Sequence, residues 1–445
     1  MSVETFLNGR VQLFCGDSRD VLKAQPDSSI DSVVCDPPYA LVSVIQRFGN
    51  SPRSETTENV ANPYGRTGRG FMGQKWDTGE TAFAAEFWAE VLRVLKPGGH
   101  VVAFSGTRTV HRLVCAIEDA GFEIRDQLQW LYGSGFPKSH DVSKGLGKQL
   151  AAPDLRAEWE GWGTALKPAV EPICLARKPL IGTVAGNVLA HGTGAINIDG
   201  CRVHADDAQG GEYTVTRLKP GATLDKTGGN WRPEEGGVLY HGEMKPGRWP
   251  ANVLHDGSAE VMEAFPDAPG QQQDIAIDAP SARTGNVYGK MNRHGEKSAD
   301  ARYTDKGSTN FAALPGMRRN DSGSAARFFY AAKADGEDRL GSKHPTVKPV
   351  DLMQWLCRLV TPKGGTVLDP FAGTGTTGEA AFREGFNAIL IERETEYQAD
   401  IRRRMALVMS GPEERKRESI KAKVGDLPFE AGSLFASLQS EAAAE

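Results

Sequence analysis

Thr366-Val367-Leu368-Asp369-Pro370-Phe371-Ala372-Gly373-Thr374-Gly375-Thr376-Thr377-Gly378 reads as a short apolar strand, a glycine-rich turn and the start of a helix. Glycine lets a backbone come close to a ligand and adopt conformations closed to other residues. Gly373-x-Gly375-x-x-Gly378 satisfies the dinucleotide-binding spacing. A further strand, Asn387 to Ile391, ends in Glu392, where an acid can hold ribose hydroxyls. No Lys-Ser/Thr follows the glycines, so the turn is not a P-loop. The stretch sets the fold class as α/β, with a Rossmann-like, mostly parallel twisted sheet. An NAD(P)-dependent oxidoreductase is one reading of it, but the same features suit any cofactor built on adenosine.

Upstream, the alternation of strand and helix continues. Val11 to Phe14 is a strand ending in Cys15-Gly16-Asp17, and a helix from Ser18 to Ala24 follows with Ser18 placed to cap it. Ile30 to Cys35 is an apolar, buried strand. Phe83 to Leu95 is an amphipathic helix that Lys96-Pro97-Gly98-Gly99 should end. Strand His100–Ser105, helix Arg108–Ala120, strand Glu123–Leu131 and strand Glu171–Arg177 complete this half. The aromatic residues on these helices belong to the core.

The strand Ile30–Cys35 runs directly into Asp36-Pro37-Pro38-Tyr39. Proline has no N–H to donate, so the sheet cannot continue through Pro37 and Pro38. The strand end therefore presents two acceptors, the Asp36 carboxylate and the Pro37 carbonyl, beside the flat ring of Tyr39. Two acceptors and a stacking face suit a planar base with an exocyclic amine. By itself the motif could equally be an ordinary strand-to-loop exit.

Asp36-Pro37-Pro38-Tyr39 resembles the catalytic motif of the DNA amino-methyltransferases, which methylate adenine N6 or cytosine N4 with S-adenosylmethionine. Asp369-Pro-Phe-Ala-Gly-x-Gly is nearer that family's cofactor motif than an oxidoreductase's, and His344-Pro345-Thr346-Val347-Lys348-Pro349 matches a third. Catalytic motif first and cofactor glycines last is the order of the beta class. The resemblance spans most of residues 10–410 and is weak in the middle. It implies that Phe371 and Gly373 lie along the methionine side of the cofactor, with Asp369 on its polar head and Gly375 and Thr376 also in the cofactor site. It further implies Glu392 on the ribose and Asp17 near the adenine. Lys348 would position cofactor or target, or simply pin its turn, and His344 would transfer no proton. Aspartate rather than serine at position 36 favours adenine, with cytosine as runner-up.

The resemblance also divides the chain. Residues 1–178 would be the catalytic half, 179–326 a target-recognition insert, 327–410 the cofactor half, and 411–445 a helical extension with a tail. Arg327 to Lys333 reads as a strand re-entering the core. The net charge of −5 gives no global sign of nucleic-acid binding. Within Ser281–Lys333, however, ten Lys/Arg face four acids, a local balance able to neutralise phosphates, although such a run is often only a solvated insert. Residues 41–79 form a turn-rich, basic loop, either plain surface or a flap over the base. Trp130–Ser139 should reach the site rim, with Phe136 sealing the core beneath it.

Six cysteines without a Cys-x-x-Cys pair argue against a zinc site or a disulfide framework. The N-terminus lacks the features of a signal peptide, and no stretch has transmembrane length. These observations set a cytoplasmic expectation. Double-stranded DNA is the expected partner, and the resemblance adds a possible homodimer and a cognate restriction endonuclease. A catalytically inactive DNA-binding protein is the remaining alternative.

Overall fold

The computed structural model describes residues 2–39, 79–135, 139–149, 153–205, 211–218, 237–268, 323–332 and 336–424. The basic loop at 41–79, apart from Gly79, lies outside them. So do Phe136, every Lys/Arg of the 281–333 stretch except Arg327, and the tail beyond 424.

The strands are β1 Ser2–Phe6, β2 Val11–Cys15, β3 Ile30–Cys35, β4 Leu95–Phe104, β5 Glu123–Leu131, β6 Val170–Arg177, β7 Gly211–Leu218, β8 Gly237–Met244, β9 Val253–His255, β10 Tyr330–Ala331, β11 Thr366–Asp369 and β12 Asn387–Glu392. Ten of them form one sheet in the order β1-β2-β12-β11-β3-β4-β6-β5-β9-β10. Pairing is parallel except at β1–β2, β4–β6 and β6–β5, so the sheet is mostly parallel, as expected. β7 and β8 form a separate antiparallel hairpin.

β3 is central, and all six of its residues are buried. Its alternate side chains serve opposite faces. Val34, with Val102 and Val367, packs in the cluster that contains Leu352, Met353 and Trp355 of helix Val350–Val360. Val33 and Val101 pack in the cluster that contains Phe87, Trp88 and Val91 of helix Ala85–Val94. Coverage on both faces explains why β3 reads as a continuous buried run. Its two polar members are satisfied. Asp31 accepts from Lys96 Nζ (2.6 Å) and from the Thr366 N–H (2.8 Å), and the Ser32 and Thr361 hydroxyls pair at 2.8 Å.

Three local expectations change. Asp17, not Ser18, caps helix Ser18–Ala24: its carboxylate accepts the Arg19 N–H at 2.9 Å, which suits a negative group at a helix N-terminus. The helix ends at Val94, as expected, but Lys96-Pro97-Gly98-Gly99 then forms the first part of β4, where a strand from His100 was expected. The Gly98 N–H donates to the Lys178 carbonyl and the Lys178 N–H to that of Gly99, at 3.1 and 2.9 Å, so long-range pairing overrides the turn composition. Residues 327–332 form no full strand, because Ala325–Phe328 coil into a 3-10 turn and the strand that pairs with β9 is Tyr330–Ala331.

The described residues fall into two units. The first draws on Met1–Cys201, Ala251–Met262 and Phe329–Glu445, and the second on Arg202–Pro250 and Glu263–Phe328. Residues 179–201 and 251–262, within the stretch read as the insert, thus pack with the sheet. Buried Asn187 donates to the carbonyls of Pro97 (2.9 Å) and Thr193 (2.8 Å), and β9 pairs with β5 through buried Leu254. In the second unit a bridge joins Val203 to Arg248. There the Arg248 and Arg327 guanidinium groups lie 5.2 and 4.4 Å from the Phe328 ring centroid, and Arg202 lies 5.4 Å from that of Trp249. Among the described residues no helix is long and apolar enough to cross a membrane.

Candidate active site

β11 and β3 lie side by side, with Leu368 in register with Val33. From β11 the chain proceeds to β12 on one side, and from β3 to β4 on the other. Their C-terminal ends therefore flank a topological switch point, where open α/β sheets hold ligands. A cavity of about 1370 Å³ opens there, lined by the Asp36–Tyr39 loop and the glycine turn together. It exceeds the roughly 300–1,000 Å³ of an ordinary single-ligand pocket, so it has room for two reactants. Of the residues singled out from the sequence, Asp17, Asp36, Pro37, Pro38, Tyr39, Lys348, Asp369, Phe371, Gly373, Thr376 and Glu392 all line it. Gly375 does not. It is the N-cap of helix Thr376–Arg383 with φ +78°, and a Cβ there would lie 3.0 Å from Ile401 Cγ1.

On the glycine side two buried carboxylates shape the turn. Asp369 accepts the Phe371 N–H at 3.0 Å and the Thr377 hydroxyl at 2.5 Å. Glu392 accepts the N–H groups of Gly373 and Glu394, each at 2.8 Å. Burial pushes both acids up to about 7, against the pull of these hydrogen bonds. Asp369 thus braces the turn through both oxygens while lining the cavity. Asp17 is held by Arg19, whose hydrogen bonds keep it below the usual carboxylate range.

Gly373 has φ +52°, and a Cβ on it would lie 3.4 Å from His344 Nε2, so a side chain there would narrow the cradle. Phe371 packs on Phe87 with ring centroids 5.1 Å apart. His344 Nδ1 is 2.6 Å from the Thr346 carbonyl, an arrangement that shapes its turn. Gly378 faces β12: a Cβ there would lie 2.6 Å from Leu390 Cδ1. Gly378→Ala is expected to cost about 1–3 kcal/mol by overpacking, read as a lower denaturation midpoint.

The catalytic-motif side is built around a buried cation. Lys348 Nζ lies 2.8 Å from Asp36 Oδ2, 3.0 Å from Glu171 Oε2 and 3.1 Å from the Tyr39 hydroxyl. Burial pulls this ammonium's pKa down, but the two carboxylates outweigh it and hold the group charged. The Tyr39 hydroxyl donates to Glu171 Oε2 at 3.1 Å, and burial together with the neighbouring carboxylates pushes its pKa well up. The Thr109 hydroxyl holds the Tyr39 carbonyl at 2.9 Å. Asp36 Oδ1, by contrast, is buried without a hydrogen-bond partner.

Sequence reasoning missed Glu171. It opens β6, which runs antiparallel between β4 and β5 and so brings its first residues to the rim where the parallel strands end. Of the loop after β5, Tyr132 lines the cavity. Gly106–Arg108 and Gly163–Val170 also line it and carried no sequence signal.

The residues fit an adenosine-type cofactor. A glycine cradle that a Cβ would narrow, a buried acid at the next strand end, and Thr374 and Thr376, whose hydroxyls pair at 3.2 Å, line one cavity. The chain resembles known proteins over most of its length. It is 25% identical over 300 residues to the Type II methyltransferase M.HindIII of Haemophilus influenzae, covering 63% of this chain and 88% of that protein. It is 28% identical over 201 residues to the Type II methyltransferase M.BglI of Bacillus subtilis, covering 44% and 46% respectively. The solved PvuII DNA methyltransferase, titled cytosine-N4-specific, aligns over 95% of each chain with 14% identity and a TM-score of 0.41. Residues 30–403 match the N6/N4 methyltransferase family, described as DNA methylase. With that match spanning most of the chain, this protein belongs to the N6/N4 DNA methylases, whose methyl donor is S-adenosylmethionine.

Proposed function

We propose that this enzyme methylates the N6 amino group of an adenine flipped out of double-stranded DNA at a specific sequence. The observation that carries the reading is that the Asp36 carboxylate, the Tyr39 ring and the glycine turn line one cavity. The Asp36 carboxylate, held by Lys348 at 2.8 Å, would accept one exocyclic N–H, and the Pro37 carbonyl the second. Accepting both hydrogens draws the nitrogen lone pair out of ring conjugation. Bound along the glycine turn, S-adenosylmethionine supplies an electrophilic sulfonium methyl. Glu392 and the Gly373 backbone would hold its ribose side, the Thr376 hydroxyl and helix start its methionine carboxylate, and Asp17 its adenine side. As the amine becomes cationic, Asp36 stabilises the growing charge from a fixed position. Lys348 and Glu171 keep Asp36 and Tyr39 in place, with Tyr39 available to stack on the base. Alignment of the two reactants contributes further, about 7–11 kcal/mol in favourable systems.

Aspartate at position 36 supports adenine, while cytosine N4 offers the same N–H geometry. The second unit, with arginines laid on aromatic rings, is the candidate for reading the target. Similarity to Type II methyltransferases supports a place in a restriction–modification pair, with a cognate endonuclease as partner. The test is transfer of labelled methyl to unmethylated DNA followed by nucleoside mass spectrometry. N6-methyladenosine is expected, N4-methylcytosine would replace the adenine assignment, and no methylated base would overturn the reading.

Cofactor affinity should depend on pH. Only ionised Glu392 can accept both ribose hydroxyls, and its pKa is raised to about 7. Affinity should therefore strengthen roughly tenfold from pH 6 to 8, and the dependence should flatten in Glu392→Gln. Stability of the ligand-free fold has the opposite sign. Asp369 and Glu392, both raised to about 7, retain protons in the native state that the unfolded chain has released. Their contribution is fully present below the ordinary carboxylate range and is lost as pH rises through 7. Calorimetric titration and thermal melts across pH 5–8 check both directions.

A further inference from the structure

The cavity rim carries a feature that the transfer geometry does not use. Between helix Pro153–Glu158 and β6, three large apolar side chains are exposed within eight residues: Trp159 (39%), Trp162 (59%) and Leu166 (92%). The two tryptophan rings pack edge-on with centroids 5.1 Å apart, and Leu166 is the member of the three that lines the ligand cavity. Leu166 and its neighbours Gly163 to Val170 line the same cavity as Asp36 and Tyr39.

This loop is held in a set shape. The Ser139 hydroxyl accepts the N–H groups of Thr164 (2.9 Å) and Ala165 (3.3 Å). The Thr164 hydroxyl accepts the His140 N–H at 2.9 Å, and the Trp162 carbonyl accepts that of Val142 at 3.1 Å. Gly135 lies so close to the loop that a Cβ there would sit 1.7 Å from the Pro168 carbonyl oxygen. The backbone is thus braced while the leucine side chain is left in water, followed directly by the cation of Lys167.

Flipping a base leaves a gap in the stack with apolar faces above and below. Apolar side chains, leucine among them, fill such gaps in DNA that proteins distort. We infer that this loop enters the DNA stack as the target base leaves it, with Leu166 in the vacated space and Lys167 on an adjoining phosphate. The inference rests on the proposed base-flipping methyltransferase. Continuity argues for DNA as the occupant, because the side chain sits on the lip of the cavity that the base must enter. A hydrated gap would favour return of the base, and a leucine in the gap opposes it.

The test compares Leu166→Ala with wild type on two duplexes carrying a sequence found methylated on plasmid DNA. In one duplex the target base is paired, and in the other it faces an abasic site, which removes the pairing that must be broken. Leu166→Ala should lose about ten- to a hundredfold in kcat/KM on the paired duplex, the effect of leaving one apolar side chain unburied. It should lose no more than about twofold on the abasic one, and Leu166→Met should recover most of the paired activity. A fluorescent base analogue at the target should brighten with wild type and not with Leu166→Ala. Equal losses on both duplexes, or none on either, would overturn the inference while leaving the methyltransferase reading intact. If wild type methylates no DNA at all, that reading fails and the inference with it. Leu166 is almost fully exposed, so its truncation leaves the fold in place.

Discussion

Asp36→Ala is expected to reduce methyl transfer by about a thousandfold or more while S-adenosylmethionine still binds. Removing one preorganised partner of developing charge typically costs about a hundred- to a thousandfold in kcat, and Asp36 has a second task in aligning the amine. The substitution should not unfold the protein. Lys348 keeps Glu171 at 3.0 Å, so its charge remains paired, and the cofactor turn is braced separately by Asp369 and Glu392. Single-turnover transfer of labelled methyl and calorimetric titration of the cofactor separate the two effects. Activity within tenfold of wild type would remove Asp36 from the chemistry. Loss of cofactor binding would show instead that the substitution acts through the cavity as a whole.

Lys348→Met is expected to damage both stability and rate. The wild-type site holds one cation against two carboxylates, with Lys348 itself only 6% exposed. Deleting the ammonium leaves Asp36 and Glu171 facing each other without compensation, and breaking a buried ion pair in this way costs about 3–5 kcal/mol. Transfer should also fall about a hundredfold, because nothing then fixes which Asp36 oxygen faces the amine. Glu171→Gln on the Lys348→Met background removes one of the two stranded charges. It should recover part of the stability and little of the rate, a coupling that a double-mutant cycle reads directly. Denaturant midpoints for the four proteins give the energies. A Lys348→Met protein as stable as wild type would show that the cluster has enough water around it to need no cation.

The fold class was legible because parallel, two-sided burial leaves a plain sequence signature. β3 and β12 are apolar runs between turn residues, and the glycine turn after β11 can serve only a close backbone approach. Misreadings fell where long-range pairing outweighed local composition. Lys96-Pro97-Gly98-Gly99 has the residues of a helix stop and is part of a strand, because Lys178 supplies its partners. Residues 179–201 lack apolar periodicity, yet buried Asn187 ties them to the sheet through carbonyls remote in sequence.

The site divides the same way. Asp36-Pro37-Pro38-Tyr39 and the glycine turn declare themselves because each needs particular residue types in a fixed local order: acceptors at a terminated strand, and glycines where a Cβ would collide. Sequence alone therefore determined the fold class and both ends of the cavity. Only the tertiary structure decided how the carboxylates are used. It placed Glu171 beside Lys348 because β6 runs against its neighbours, and it brought the Asp36 carboxylate onto the same ammonium. The meeting of Asp36, Glu171 and Lys348 depends on strand order and direction between residues more than a hundred positions apart, and no local pattern encodes it.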